Sequence, residues 1–79
     1  MYFVYSLRSE MNPDKHYVGL TVDLPRRLRE HNAGKSVHTN KFKPWTLETY
    51  TAFSEQSKAE RFEVYLKTAS GRAFAKKRL

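Results

Sequence analysis

The chain contains no cysteine. That excludes disulfides, thiolate metal sites and a thiol nucleophile, and it leaves the redox compartment open. Long apolar runs are also missing, since none approaches the ~20 residues of a membrane span. The first residues, Met1-Tyr2-Phe3-Val4-Tyr5-Ser6-Leu7, lack a basic leader segment and stop at Arg8, which makes a poor signal peptide. The expectation is a soluble cytoplasmic protein with no membrane partner. Acidic residues are scarce, with 8 Asp+Glu against 15 Lys+Arg and a net charge of +7. Such an excess points to a polyanionic partner, nucleic acid before an anionic membrane surface, or simply to a basic, soluble chain.

What is present suits a folded chain. Hydrophobic residues make up 39% and aromatic residues 14%, whereas a disordered segment would be poor in aromatics. At 79 residues the expectation is one domain over residues 1–79, with a small core. Tyr2 to Leu7 is rich in β-branched and aromatic residues and predicts a strand. Ser9 to Lys15 carries Asn12-Pro13-Asp14 and predicts a turn. His16 to Leu20 predicts the second strand of an antiparallel hairpin. Asp23 is placed to cap a helix from Leu24 to His31 or Asn32, with Gly34 just beyond its end.

Lys35 to Pro44 is polar and basic and predicts a surface loop. Trp45 to Phe53 alternates large and polar residues, the pattern of a strand with one buried face. Ser54 or Ser57 is expected to cap a second helix, from about Lys58 to Thr68. Ser70-Gly71 is expected to break it before a short basic helix from Arg72 to Leu79, anchored by Phe74. The order β-β-α-β-α-α predicts an α+β fold around a small antiparallel sheet.

Polar residues then fall where the core should be. At about 100° per residue, Leu24, Arg27, Leu28 and His31 share one helical stripe. Ala59, Phe62, Glu63 and Leu66 form another. Burying a charge without a partner costs several kcal/mol. Either Arg27 and Glu63 snorkel or pair with each other, or both line a cleft where a charged substrate compensates them. On the strands, Tyr17 and Gly19 share a face by period-two alternation, and Tyr5 can lie beside Tyr17. Two phenols beside a glycine suit core packing with the hydroxyls at the rim. Core packing is the usual role of strand tyrosines; the functional reading is an open cleft that Gly19 lets a substrate approach.

These residues carry a resemblance. Phe3-Val4-Tyr5 followed by Tyr17-Val18-Gly19 resembles the paired signature of the GIY-YIG endonucleases. The segment from Thr21 to Asn32, with Arg27 and His31 one turn apart, resembles the helix that follows it. Lys43-Pro44-Trp45 resembles the start of the family's third strand, and Ala59 to Glu63 resembles the segment of its metal-binding glutamate. The span from Leu66 to Leu79 is similar to the end of small single-domain bacterial members. The chain departs from the pattern at Phe3, where relatives have glycine, and at Leu20, where some have lysine. It also has no asparagine after Asn40.

The resemblance implies a three-stranded antiparallel sheet flanked by helices. It implies metal-dependent hydrolysis of DNA, structure-selective or sequence-tolerant, in repair or recombination. By position, Glu63 would hold one Mg²⁺ or Mn²⁺. Tyr17 would activate or orient the attacking water, and Tyr5 would assist it or contact the phosphate. Arg27 would stabilise charge on the phosphate, His31 would orient Tyr17 or shuttle a proton, and Gly19 would keep the pocket open. A single carboxylate suits a metal that takes its other ligands from water and phosphate. A two-metal site would need more clustered acids than the chain offers.

Arg26, Lys35, Lys41, Lys67 and Arg72 are the expected nucleic-acid contacts, made to phosphates and without base readout. DNA, branched or flapped, is the expected partner, with RNA open and a recruiting protein possible in principle. The alternative is a non-catalytic nucleic-acid-binding module on the same fold. His16, His31 and His38, without cysteine or close spacing, argue against zinc.

Overall fold

The computed structural model describes all residues from Met1 to Leu79. Strand β1 (Tyr2–Ser9) lies in the middle of the sheet, between β2 (His16–Thr21) and β3 (Trp45–Phe53), and pairs antiparallel with both. Tyr5 stands opposite Gly19 on one side and Tyr50 on the other. The β1–β3 register shifts between Ser6 and Leu7. Helix α1 (Leu24–Asn32) follows the hairpin, and α2 (Gln56–Leu66) and α3 (Ala69–Arg78) follow β3. The α+β order expected from the sequence is the observed one.

Strand alternation divides the core between the two sheet faces. Tyr5, Leu7 and Trp45 bury against Leu24 of α1, with Phe3, Tyr17, Leu28 and Leu47 packed around them. Val4 faces the other way, against Ala59 and Leu66 of α2, with Val18, Leu20, Phe62 and Phe74 around it. Both helical stripes read from the sequence therefore meet the sheet, on opposite faces. Phe3, in place of the family glycine, packs edge-on against Tyr50, and Leu20, in place of a lysine, belongs to the second core. No helix is long and apolar enough to cross a membrane. The apolar run Tyr2–Leu7 lies within the central strand.

The ends of α1 form as expected. The Asp23 carboxylate accepts from the Arg26 amide at 3.2 Å. At the other end Gly34, with φ +78°, lets the amides of Gly34 and Lys35 reach the carbonyls of His31 and Glu30. This paired closure satisfies carbonyls that the helix would otherwise leave open.

Three expectations need correction. The segment from Lys35 to Pro44 is not simply a surface loop. Ser36 and Thr39 are buried, and Asn40–Phe42 forms a 3₁₀ turn packed on the sheet end, where the Ser9 hydroxyl donates to the Phe42 carbonyl at 2.6 Å. Helix α2 starts at Gln56, with Glu55 rather than Ser54 or Ser57 at the cap and no side-chain bond there. The break between α2 and α3 falls at Lys67–Thr68, not at Ser70-Gly71. Thr68 caps α3 by accepting from the Gly71 amide at 3.0 Å. Gly71 is inside α3, where the Tyr65 carbonyl occupies the space a side chain would need.

Gly71 therefore serves close helix approach and not chain flexibility. Gly71→Ala gains helix propensity of up to ~1 kcal/mol. It also drives a methyl group into the backbone of Tyr65 and Leu66. Overpacking of that kind costs about 1–3 kcal/mol. Net destabilisation is expected, seen as a drop in Tm of several degrees in thermal unfolding; an unchanged or higher Tm would contradict it.

Candidate active site

The site begins with the pair Tyr5 and Gly19. Tyr5 is on the central strand and Gly19 directly across on the edge strand β2. The Tyr5 ring lies over Gly19, where a Cβ would overlap its hydroxyl and ring carbons. The glycine makes room for Tyr5 itself; the expectation that it keeps a pocket open is corrected to that extent. Tyr5 is 2% exposed.

Helix α1 brings His31 over this phenol. His31 Nε2 and the Tyr5 hydroxyl are hydrogen-bonded at 2.8 Å, and His31 Nδ1 and the Thr39 hydroxyl at 2.6 Å. His31 is completely buried. Its Nε2 hydrogen bond is to Tyr5, and it meets Tyr17, the phenol it was expected to orient, through ring packing. The Tyr17 ring packs beside it, 5.0 Å from the imidazole and 6.4 Å from the Tyr5 ring. Tyr17 is half-buried, and its hydroxyl makes no hydrogen bond within the chain. One phenol is thus held by protein and the other is free.

Arg27 sits one turn before His31 on the same stripe. Its guanidinium donates to Glu30 at 2.9 Å, and Arg26 donates to the other Glu30 oxygen at 3.3 Å. Glu63 comes from α2 on the other sheet face and accepts from Lys67 at 3.0 Å. Arg27 and Glu63 therefore do not pair with each other. Both are nevertheless felt at one atom. Burial pushes the Tyr5 hydroxyl up to about 12, against the pull of the Arg27 guanidinium and with the push of Tyr17 and the Glu63 carboxylate. Arg27 on α1 and Glu63 on α2 thus both act on the same phenol of the central strand, Glu63 by its charge alone. Beside Arg27, Glu30 is held below the usual carboxylate range, and Glu30 in turn raises Arg27.

The basic residues divide. Arg26 and Lys35 converge with Arg29 along one groove of α1. Lys67 stands beside Glu63 as its ion-pair partner. Lys41 lies over the Phe42 ring at the far end of the sheet, 5.6 Å from its centroid. Arg72 is exposed on α3 without a carboxylate partner.

Sequence reasoning missed three residues that support the site. Thr39 holds His31. Trp45 donates its indole N–H to the Thr39 carbonyl at 2.8 Å. Asn32 clamps Trp45 by donating to its carbonyl at 3.1 Å and accepting from its amide. The buried hydroxyl inside a polar loop left no periodic signal.

No group of three His, Cys, Asp or Glu side chains could cage a metal. Glu63 offers one carboxylate with one oxygen free of Lys67. That donor set suits a hard cation shared with substrate phosphate and water, and does not suit a fully protein-caged ion.

The fold and this edge-strand site define a class, the small α+β nuclease domain. The chain belongs to the GIY-YIG endonuclease family, and the family model described as the GIY-YIG catalytic domain matches residues 1–78. It is similar to the structure-specific endonuclease subunit SLX1 of Scheffersomyces stipitis, 46% identical over 52 residues, 58% of this chain and 16% of that protein. It is similar also to the SLX1 subunit of Podospora anserina, 36% identical over 69 residues, 80% of this chain and 20% of that protein. A UPF0213 protein of Halobacterium salinarum is 37% identical over 71 residues, 89% of this chain and 90% of that protein. The chain thus spans a minor part of the SLX1 subunits and nearly all of the Halobacterium protein.

Burial and the Arg27 charge both lower the proton affinity of His31 below its ordinary 6.5, with Glu30 opposing them. The folded state therefore binds this proton less well than the unfolded chain. Stability linked to His31 is intact above pH 6.5 and is lost as pH falls through the lower folded value. Thermal unfolding between about pH 7.5 and about pH 5 should show a falling Tm. His31→Gln should flatten that dependence; an equal slope in both proteins would refute the assignment.

Proposed function

We propose that this chain hydrolyses phosphodiester bonds in DNA at the Tyr5–Gly19 edge of the sheet, with one divalent cation, Mg²⁺ or Mn²⁺, at Glu63. The observation that carries this reading is the gathering of Tyr5, Tyr17 and His31 from β1, β2 and α1, with His31 Nε2 2.8 Å from the Tyr5 hydroxyl and its ring 5.0 Å from that of Tyr17. When bound, the cation would supply positive charge against the phosphate. The free Tyr17 hydroxyl orients the attacking water. The new bond forms between that water oxygen and phosphorus, the bond to the leaving sugar oxygen breaks, and the proton lost by water ends on the leaving oxygen or in solvent. Arg27 offers its planar donor fork to the phosphate oxygens as charge grows on them. Tyr5 stays neutral at physiological pH and cannot be the base, so its part is to hold and contact.

Structure selectivity is the reading for the substrate. It rests on the names of the SLX1 relatives and on basic residues suited to phosphates and not to base edges. A role in repair or recombination and a recruiting protein partner fit the same relatives, which are named as subunits. Residues 1–79 are read as one domain, since both cores share one sheet. The cytoplasm is the proposed location.

Purified protein with Mg²⁺ or Mn²⁺ should nick flapped or branched DNA. Arg27→Ala should reduce the rate by about 10²–10³-fold, and Glu63→Ala should abolish cleavage while both keep the wild-type circular dichroism. Unchanged cleavage in Glu63→Ala would reject the metal role. Salt-sensitive DNA binding without turnover under either metal would favour the binding-module alternative.

A further inference from the structure

Thr39 has no task in the chemistry above, yet its hydroxyl is fully buried against the imidazole of His31. The threonine is 0% exposed. Its carbonyl accepts from the Trp45 indole at 2.8 Å and from the Phe42 amide at 3.3 Å, and its own amide donates to Ser36 at 3.2 Å. The backbone on both sides of the side chain is thus pinned. The hydroxyl has one partner only, His31 Nδ1 at 2.6 Å.

That single partner decides a proton position. A neutral imidazole carries one N–H, and a hydroxyl both donates and accepts. If His31 carried its proton on Nδ1, it would donate to Thr39, and the Thr39 hydroxyl hydrogen would be buried with no acceptor. Leaving a buried donor unmade costs about 1–3 kcal/mol. If the proton is on Nε2, Thr39 donates to Nδ1 and the buried end is complete. His31 Nε2–H then donates to the Tyr5 oxygen. One hydrogen is left over in either tautomer; here it is that of Tyr5, which keeps slight exposure beside the half-buried Tyr17 and Arg27, where water or a substrate oxygen can take it, whereas Thr39 has no exposure at all.

We infer that Thr39 is a positioning residue that fixes His31 as the Nε2–H tautomer, so that every proton in the Thr39–His31–Tyr5 chain points outward and the Tyr5 O–H is free to donate to a substrate phosphate oxygen. The inference rests on the proposed hydrolase reading for its catalytic consequence, but the tautomer itself does not. It also gives the two phenols distinct tasks. Tyr5 is a donor aimed by the protein interior, and Tyr17 is left to the water.

The test has two arms. Nitrogen-15 spectra of the imidazole groups near neutral pH should show His31 as a single Nε2–H tautomer, unlike the exposed His16 and His38. In Thr39→Val this single-tautomer signature should be lost, and Thr39→Ser should restore it. A wild-type Nδ1–H tautomer, or one unchanged in Thr39→Val, overturns the inference. In the second arm, kcat on a flapped DNA should fall about 10–100-fold in Thr39→Val, the range for losing a partner that orients a functional imidazole. KM should stay within about twofold, and Thr39→Ser should recover most of kcat. Loss of activity that serine does not recover, in a protein still folded, marks Thr39 as packing and overturns the inference. If the wild-type protein itself does not cleave, the hydrolase reading fails and the spectra alone decide the tautomer.

Discussion

The ring of Tyr5 fills the space left by the absent side chain of Gly19. Nearly every other feature of the site follows from that overlap. A tyrosine on a central strand would ordinarily project straight into the core with its hydroxyl in need of a partner. Here the ring lies across to the edge strand, and the hydroxyl meets the imidazole that α1 carries above it. Helix α1 can put His31 there only because its end is closed at Gly34 and clamped to β3 through Asn32 and Trp45. Charges from both faces are thereby felt at the Tyr5 hydroxyl. Arg27 comes from the helix on one face and Glu63 from the helix on the other.

Much of this was legible in the residues. Period-two alternation placed Tyr5, Tyr17 and Gly19 together, and helical spacing put Arg27 with His31 and Glu63 with Ala59 and Leu66. Those patterns survive because burial selects one face of a regular element, and regularity is visible in one dimension. The connection from Lys35 to Pro44 has no such regularity. Its lysines read correctly as exposed, but its Ser36 and Thr39 are buried, and nothing in the local pattern separates an inward hydroxyl from an outward one. Gly71 was misread for a related reason. A glycine before a basic segment suggests a break, whereas here it permits contact with a carbonyl six residues earlier. Thr68 was the better signal, since its hydroxyl could cap a helix in its first turn.

The fate of the two charged core residues also shows what spacing cannot decide. Arg27 and Glu63 each sit on an apolar stripe, and pairing them with each other would have been the simplest compensation. Each instead takes a partner from its own helix, Glu30 three residues on and Lys67 four residues on. Helical neighbours at these separations meet without any tertiary contact. The two functional candidates are thus held on separate helices and remain apart, with Tyr5 between their fields.

That arrangement bears on how such a site can be both stable and available. Side chains of Arg27 and Glu30 retain 33% and 29% of their exposure, and those of Glu63 and Lys67 retain 22% and 52%. Ion pairs this open contribute little to stability. They suffice to orient a guanidinium and a carboxylate, and they cost little to exchange. On the proposed reading, a phosphate reaching Arg27 would displace Glu30 from part of the fork, and a cation reaching Glu63 would displace Lys67. Fully buried pairs would have resisted both exchanges, because removing one partner strands the other without water. The chain keeps its costly burial for neutral groups, the Tyr5 phenol, the His31 imidazole and the Thr39 hydroxyl, and leaves its charges at the rim where a substrate can compete for them.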